Sequence, residues 1–316
     1  MTGGAGFVGA NLARRLLADG HETVVLARPG GDRWRLAGLE REVEIVDLDL
    51  TDAAAVAKTL ARVKPEIVFH LAAHGAYSWQ RDLGRMVAVN LLGTANLLRS
   101  SLDSGCRAFV NTGSSSEYGF KDHAPSETEA LDPNSDYALT KAASTMHCRQ
   151  VGLASRARVV TLRLYSVYGP YEEPNRLVPA LAVNGIDGRL PDLADPRTAR
   201  DYVWIEDVID AYLKAASAEE VPAGAVYNVG TGRQTTLAEA VAVARKVLDL
   251  AVEPRWSAYP DRHWDTGVWV SDPRRISADL DWRPATDFEG GFRKMAAWLR
   301  DSPGLLDLYR GRLKQG

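Results

Sequence analysis

Hydrophobic and polar residues follow two different patterns along the first half of the chain. Short apolar runs predict buried strands at residues 23–27, 44–48, 66–72, 108–113 and 158–164. Longer stretches between them space their apolar residues as on one face of a helix, at 10–20, 52–63, 86–105 and 136–155. Because strands and helices alternate, the pattern predicts an α/β fold with a doubly wound parallel sheet and helices on both faces.

The second half of the chain is less regular. After Tyr168 the alternation loosens into a region rich in tryptophan and proline. We therefore expect a larger domain at 1–169 and a smaller C-terminal cap made mainly by 170–316, with segments from 200–230 returning to the first domain.

Composition narrows the class of protein. The net charge of −3 gives no reason to expect a nucleic-acid partner. No apolar run is long enough for a transmembrane helix, so no membrane partner is expected. Cys106 and Cys148 have no metal-ligand spacing, which predicts no metal site and favours a reducing, cytoplasmic location.

A glycine-rich turn opens the chain in "TGGAGFVG", at residues 2–9. Gly3, Gly6 and Gly9 precede a predicted helix, whose free N–H groups and dipole attract phosphate. The pattern indicates a dinucleotide site, and the alternative is a turn needed only for close packing. Only Met1 and Thr2 stand before it, where a central strand is expected between 23–27 and 66–72; we expect the natural start to lie upstream or the sequence to be trimmed.

The end of the second strand bears on the choice of dinucleotide. An acidic residue there usually binds the adenosine ribose of NAD. This chain has Ala27 and Arg28 at that position, and Arg28, helped by Arg33 or Arg35, would favour a 2′-phosphate. The sequence thus favours NADP(H), with NAD(H) possible, while solvent-exposed loop arginines are the alternative.

A tyrosine and a lysine in "NSDYALTKAAS" provide candidate chemistry. Tyr137 and Lys141 are four residues apart on a predicted helix and share a face. A nearby ammonium is expected to lower the pKa of the phenol toward the range useful for proton transfer. The hydroxyls of "TGSSSEYG" at the end of the 108–113 strand are placed to bind the same substrate oxygen.

Together these motifs resemble the extended short-chain dehydrogenases/reductases that modify nucleotide sugars. The resemblance spans nearly the whole chain, through "TGGAGFVG", "DLTD", "HLAA", "VNLLGT", "SSSEYG", "YALTK", "RLYSVYGP", "RDYVWIEDV", "YNVGTG" and "WRP". It implies a Rossmann-like fold and a nucleotide-diphosphate sugar as the substrate.

The resemblance also implies roles for individual residues. Tyr137 is then the acid/base at the sugar C4 oxygen, Ser114 binds the same oxygen, and Lys141 binds the nicotinamide ribose. The remaining cofactor-binding residues by this resemblance are Gly3, Gly6, Phe7, Val8, Gly9, Asp49, Leu50, Leu71, Ala72, Ala73 and Asn90. The substrate-side candidates are Ser115, Ser116, Ser166, Arg200 and Arg262. Tyr77 is added from the aromatic-rich loop 74–82, where capping of the core or a dimer contact is the alternative. Ser166 departs from the asparagine that many relatives carry, and an ion pair with Asp201 or Glu206 is the alternative for Arg200.

Three reactions at C4 are compatible with this scaffold. A 4,6-dehydratase needs an additional acid and base, and Ser115 and Ser116 are poor substitutes for the Asp-Glu pair of the dTDP-glucose dehydratases. Glu117 lies one residue later, on the opposite face of a strand unless the strand end bends. A 4-ketosugar reductase and a 4-epimerase stay open, with the dehydratase as the alternative and a non-catalytic dinucleotide sensor as a different class.

Relatives of this kind commonly dimerise through the helix that contains Tyr137 and the helix after Asn90. By analogy we expect a homodimer. The small residues Ala142, Ala143 and Ser144 are expected to allow close packing between the helices.

Overall fold

The computed structural model describes residues 1–77, 79–257 and 266–313. In chain order the strands are β1 (Val24–Ala27), β2 (Glu44–Asp47), β3 (Ile67–His70), β4 (Ala108–Ser114), β5 (Arg158–Leu164), β6 (Ser166–Tyr168), β7 (Ala199–Arg200), β8 (Tyr202–Trp204), β9 (Val226–Val229) and β10 (Thr235–Thr236). The helices are α1 (Phe7–Ala18), α2 (Ala53–Val63), α3 (Leu83–Met86), α4 (Thr94–Asp103), α5 (Asp136–Ala154), α6 (Leu177–Ile186), α7 (Ile205–Ser217), α8 (Leu237–Leu248), α9 (Arg274–Leu280), α10 (Phe288–Asp301) and α11 (Pro303–Leu313). A π-helical stretch, Val87–Gly93, joins α3 to α4, and Trp34–Leu36 and Ser115–Tyr118 form 3₁₀ turns.

The main sheet is parallel, in the order β2, β1, Thr2, β3, β4, β5, β9. Thr2 forms single bridges to Leu26 on one side and His70 on the other. The Thr2 N–H donates to the Phe69 carbonyl (2.9 Å), and the Leu26 N–H donates to the Met1 carbonyl (2.8 Å). Residues 1–2 therefore lie at the central position that the sequence assigns to a first strand.

Adjacent residues of the central strands point to opposite faces of the sheet, and both faces are covered. Phe109 packs in an apolar cluster with residues of α2 and α4, whereas Val110 packs in a second cluster with residues of α1 and α7. Strands buried on both faces are typical of doubly wound α/β proteins. The predicted fold class is confirmed.

The C-terminal part of the chain adds two short strand pairs and a group of packed helices. β6 pairs with β8 in parallel and β7 pairs with β10 in antiparallel register. Helices α6, α8 and α10 pack on one another, and β9 comes from this half of the chain to pair with β5. The predicted division into 1–169 and 170–316 stays a prediction.

Two absences can be stated for the part of the chain that the structure describes. No helix there combines the length and the apolar character needed to cross a bilayer. No group of histidine, cysteine, aspartate and glutamate side chains there is arranged to hold a metal ion.

Candidate active site

The glycine turn leaves no room for side chains. Gly3 has φ +68°, a conformation that favours glycine, and a Cβ there would lie 2.5 Å from the backbone that follows β3. A Cβ on Gly9 would lie 2.2 Å from the Gly3 carbonyl oxygen, and one on Gly6 would lie 3.1 Å from the same atom. Helix α1 begins next, with half-buried Phe7 and Val8 and no side-chain cap or acid in its first turn. This geometry fits a pyrophosphate, since the first N–H groups of the helix are left for a ligand.

The arginines near the end of β1 occupy different environments. Arg28 is exposed directly after the strand. Arg33 pairs with Asp47 at the end of β2. Arg35 is buried, and its guanidinium donates to the Tyr171 carbonyl (2.7 Å) and to Glu173 (3.0 Å). The expectation that Arg35 would assist a 2′-phosphate is wrong, because packing between the two halves of the chain uses its donors.

The adenine-side candidates lie at the ends of the neighbouring strands. Asp49 accepts hydrogen bonds from the backbone and hydroxyl of Thr51 and pairs with Arg85 (3.2 Å), contacts that hold the pKa of its carboxyl below the usual range. Leu50 is buried beside it. The remaining candidates follow β3: Leu71 and Ala72 are half-buried and Ala73 is exposed. The strand ends thus bring these residues to one edge of the sheet.

Asn90 lies in the π-helical stretch and is fully buried. Its amide nitrogen donates to the His74 carbonyl (2.8 Å) and the Thr140 hydroxyl (2.9 Å), and its oxygen accepts from the His74 N–H (2.7 Å). Both amide hydrogens are therefore used within the protein. The structure places Asn90 as a brace between the loop after β3 and helix α5.

Tyr137 and Ser114 meet where β4 ends and α5 begins. The Ser114 side chain lies close enough to the phenol for the two hydroxyls to interact, and this interaction opposes a rise in the pKa of Tyr137. Burial is the larger effect and, with the negative charge of Glu117, raises this pKa to about 12. Lys141 is buried one turn further along α5, and burial lowers the pKa of its ammonium. The expectation of a lowered phenol pKa is wrong for this structure, because burial disfavours the phenolate.

The serines after Ser114 do not continue the strand. Residues 115–118 turn into a 3₁₀ helix, so the strand end bends and the alternation expected from a straight strand does not apply. The hydroxyls of Ser114 and Ser116 are hydrogen-bonded to each other (2.8 Å), and the Ser115 hydroxyl accepts a hydrogen bond from the Trp269 indole N–H (3.1 Å). Glu117 points into the interior and pairs with buried Arg163 (2.8 Å). The bend therefore does not bring Glu117 into the cleft as a second acid.

Two substrate-side candidates, Tyr77 and Arg200, each lie beside a tryptophan ring. Tyr77 stacks on Trp79, with ring centroids 4.6 Å apart and 6° between the planes. Arg200 donates to the Ala199 carbonyl (2.7 Å), and its guanidinium lies 5.4 Å from the Trp269 ring centre.

The neighbours of Arg200 are held by other partners. The buried carboxylate of Asp201 accepts hydrogen bonds from the backbone and hydroxyl groups of Thr231 and Ser271 and from the Gly232 N–H. Glu206 pairs with Lys294 (3.2 Å). These contacts give no support to the alternative in which Arg200 is simply an ion-pair partner of either acid.

Ser166 and Arg262 are the last two substrate-side candidates. Ser166 lies in β6, where its N–H donates to the Asp201 carbonyl (3.0 Å). Arg262 lies outside the described residues.

Arg176 and Trp269 were missed by the sequence interpretation. Arg176 precedes α6, donates to the Ala76 carbonyl (3.0 Å) and lies over the Tyr77 ring, and its charge opposes the rise in the pKa of Tyr137. A cation at a helix N-terminus is unfavourable for the helix dipole, and this was the available signal. The sequence around Trp269 has no feature that predicts a place for this residue in the site.

The sequence interpretation also did not single out Glu172, a buried carboxyl with one oxygen that lacks a hydrogen-bond partner. It lies in the loop before α6, and the oxygen without a partner is Oε2. Burial raises the pKa of this carboxyl to about 8, against the opposing charge of Arg176.

Comparison with known proteins places this geometry among nucleotide-sugar enzymes. Residues 1–230 match the model of the NAD dependent epimerase/dehydratase family. The chain is 31% identical to a UDP-glucose 4-epimerase of Mycolicibacterium smegmatis over 95% of this chain and 98% of that protein. It is 27% identical to a dTDP-glucose 4,6-dehydratase of Neisseria meningitidis, over 96% and 93%. The crystal structure of Thermus thermophilus UDP-glucose 4-epimerase in complex with NAD superposes with a TM-score of 0.83 at 30% identity, over 95% and 98% of the two chains.

Proposed function

The chain belongs to the NAD-dependent epimerase/dehydratase family, and from that premise we propose that it acts at C4 of a nucleotide-diphosphate sugar with a nicotinamide dinucleotide as cofactor. The observation that carries the proposal is the contact between Ser114 and Tyr137, at the sheet edge that also holds the glycine turn. The relatives named above support the substrate class, since their names specify UDP-glucose and dTDP-glucose.

Each part of the site has a defined task in this proposal. Gly3, Gly6 and Gly9 hold the pyrophosphate against α1, and Lys141 holds the nicotinamide ribose. When bound, the nicotinamide supplies hydride transfer at C4. Tyr137 moves the proton of the C4 oxygen, which Ser114 orients by a hydrogen bond.

The other proposed contacts surround these groups. The second-strand and third-strand residues Asp49, Leu50, Leu71, Ala72 and Ala73 contact the cofactor, with Asn90 bracing the loop beside them. Arg200 binds the substrate diphosphate, since a guanidinium matches phosphate oxygens in a bidentate manner. Tyr77 and Ser115 border the sugar.

Of the three C4 reactions, we favour 4-epimerisation. Dehydration needs an additional acid and base, whereas Ser115 and Ser116 are hydroxyls engaged by Trp269 and Ser114. The carboxylate of Glu117 is buried in an ion pair with Arg163. Two enzymes that match at 30% and 31% identity are UDP-glucose 4-epimerases, which supports the choice.

A 4-ketosugar reductase is the second candidate, and two observations favour it. Tyr137 is held as a neutral phenol, the form that donates a proton when a ketone is reduced. Arg28 is exposed at the end of β1, where an acid would disfavour a 2′-phosphate, and so supports NADP(H). The bound NAD of the Thermus structure supports NAD(H) instead.

One experiment separates the candidates. The purified protein is incubated with UDP-glucose, dTDP-glucose or an NDP-4-keto-6-deoxyhexose, with NAD(H) or NADP(H), and the products are analysed by chromatography and mass spectrometry. An epimerase interconverts isomers of equal mass without net change in the dinucleotide, a reductase consumes reduced dinucleotide, and a dehydratase yields a product lighter by one water. Failure of every substrate to react, with a dinucleotide bound, would favour a sensor.

The proposed acid/base is tested with Tyr137→Phe. We expect kcat to fall by about 10²- to 10⁴-fold, because proton transfer at C4 is lost, while dinucleotide binding is retained. Tyr227→Phe is the matched control, since that phenol bonds Asp279 in α9. Wild-type turnover by Tyr137→Phe would refute the mechanism.

We also propose a homodimer, formed through α5. Leu139, Met146 and Leu153 are exposed at seven-residue spacing, which places them on one face of the helix, and Leu92 is exposed on the π-helical stretch that packs beside α5. Ala142 and Ser144 are buried within the subunit, so the expected role between subunits is wrong for these two residues. Ala143 is half-buried, and its role stays a prediction. Met146→Glu is expected to shift the protein to a monomer in native mass spectrometry.

We also propose a cytoplasmic location, because both cysteines are unpaired thiols, as is typical of a reducing compartment. Cys106 and Cys148 are both free and buried. Burial raises the pKa of the two thiols to about 11 and about 12, so neither is set up as a nucleophile.

A further inference from the structure

Glu117 is a fully buried carboxylate directly beside the proposed acid/base. Its Oε1 accepts hydrogen bonds from the Ser114 N–H (2.8 Å) and the Thr145 hydroxyl (2.9 Å), and its Oε2 accepts from Arg163 Nε (2.8 Å). The Arg163 side chain is itself only 4% exposed. A buried ion pair of this kind adds little stability compared with a well-packed apolar pair. We therefore ask which groups of the site the Glu117 carboxylate holds in position.

The two donors on Oε1 come from the two elements that form the site. Ser114 ends β4 and carries the hydroxyl that lies beside the Tyr137 phenol. Thr145 lies on α5, four residues after Lys141 and eight after Tyr137. A single carboxylate oxygen therefore joins the strand end to the catalytic helix. We propose that Glu117 is a positioning residue that fixes the Ser114 hydroxyl against the Tyr137 phenol, a role that rests on the proposed C4 chemistry.

The carboxylate has an electrostatic consequence as well. The groups that act on Tyr137 are Glu117 and Tyr77, which raise its pKa, and Ser114 and Arg176, which lower it. Neutralising Glu117 removes one of the raising influences, so the pKa of Tyr137 is expected to fall. Activity that needs the neutral phenol would then be lost at a lower pH, and activity that needs the phenolate would begin at a lower pH.

The positioning role is tested first with Thr145→Val, which removes the hydroxyl on α5 and keeps the size of the side chain. We expect kcat to fall about tenfold, since a small misplacement of the reacting groups is enough, with KM nearly unchanged. Ser144→Ala is the matched control, because that neighbouring hydroxyl is buried and has no hydrogen-bond partner. Equal kcat values for Thr145→Val and Ser144→Ala would overturn the proposal.

Glu117→Gln tests the charge, through the predicted shift of its pH–rate profile to lower pH. Where this variant fails to fold, Glu117→Val/Arg163→Met replaces the ion pair by an apolar pair, and we expect it to fold but to lose turnover. Wild-type kcat in the folded double variant would refute the role of Glu117.

The inference can also be tested without turnover. Crystal structures of Thr145→Val and Ser144→Ala show whether the Ser114–Tyr137 contact is lost in the first and kept in the second. An inactive wild type would refute the proposed function, whereas an intact contact in Thr145→Val would refute the positioning role alone.

Discussion

The two sides of the site are built in different ways. The proposed pyrophosphate site is formed by consecutive backbone, in which Gly3 and Gly9 lie so close to neighbouring backbone that an added Cβ does not fit. The substrate side is formed by side chains from distant segments, among them Tyr77, Arg176 and Trp269. One side thus depends on the absence of side-chain atoms at fixed positions, and the other on contacts between side chains that are distant in the sequence.

The largest effect is expected from Gly9→Ala. Its Cβ would lie 2.2 Å from the Gly3 carbonyl oxygen, and backbone on both sides leaves little room to relax. We expect dinucleotide affinity to fall at least about tenfold, along with a loss of stability of about 1–3 kcal/mol from overpacking. Titration of dinucleotide binding and thermal unfolding measure the two effects.

Gly311→Ala is the control for this prediction, since an added Cβ there meets nothing within 4 Å. Normal dinucleotide affinity in Gly9→Ala would mean that the cofactor side tolerates added atoms, which would contradict the comparison.

A smaller and different effect is expected on the substrate side. Trp269→Phe keeps an aromatic ring and removes the N–H that Ser115 accepts. We expect KM for the nucleotide sugar to rise by about three- to tenfold, the value of one lost hydrogen bond, with dinucleotide affinity unchanged. Trp298→Phe, whose ring packs on Tyr171 and Tyr309 away from the cleft, should leave KM unaltered. An equal rise in both variants would count against a role for Trp269 at the substrate.

The last expected effect is on stability alone and depends on pH, and it comes from Glu172. The pKa of this carboxyl is raised from 4.5 to about 8 by burial, so between these values the folded protein keeps a proton that the unfolded chain releases. Stability from this group is therefore present at low pH and is lost as the pH rises toward 8, by at most about 1.4 kcal/mol per pH unit. Relative to wild type, Glu172→Gln should gain stability as the pH rises from 5.5 to 8.

Chemical denaturation at several pH values checks this prediction, with exposed Glu219→Gln as the control. A difference between Glu172→Gln and wild type that does not vary with pH would show that the carboxyl is already ionised in the folded protein.

Local signals predicted much of the molecule. The strands near 24–27, 108–114 and 158–164 were evident as short apolar runs, and the glycine turn and the Tyr137–Lys141 pair follow from spacing within a few residues. The family resemblance was visible for the same reason.

What the sequence did not reveal depends on burial or on contacts between distant segments. The pKa of Tyr137 rises because the phenol is buried, which spacing along a helix does not report. Arg35 was misassigned because its partner, Glu173, is more than a hundred residues away. Trp269 reaches Ser115 across a similar separation, so neither sequence neighbourhood predicts the contact.

The buried carboxylate of Asp201 has a mechanical consequence for the substrate side. It accepts hydrogen bonds from Thr231, Gly232 and Ser271, which belong to segments that follow β9 and precede α9. Releasing any one of these segments would leave a buried charge with unmet hydrogen-bonding capacity, which is costly. We therefore expect these segments to stay joined, so that Arg200 and Trp269, which lie close to Asp201 and Ser271 in the sequence, keep their position relative to each other.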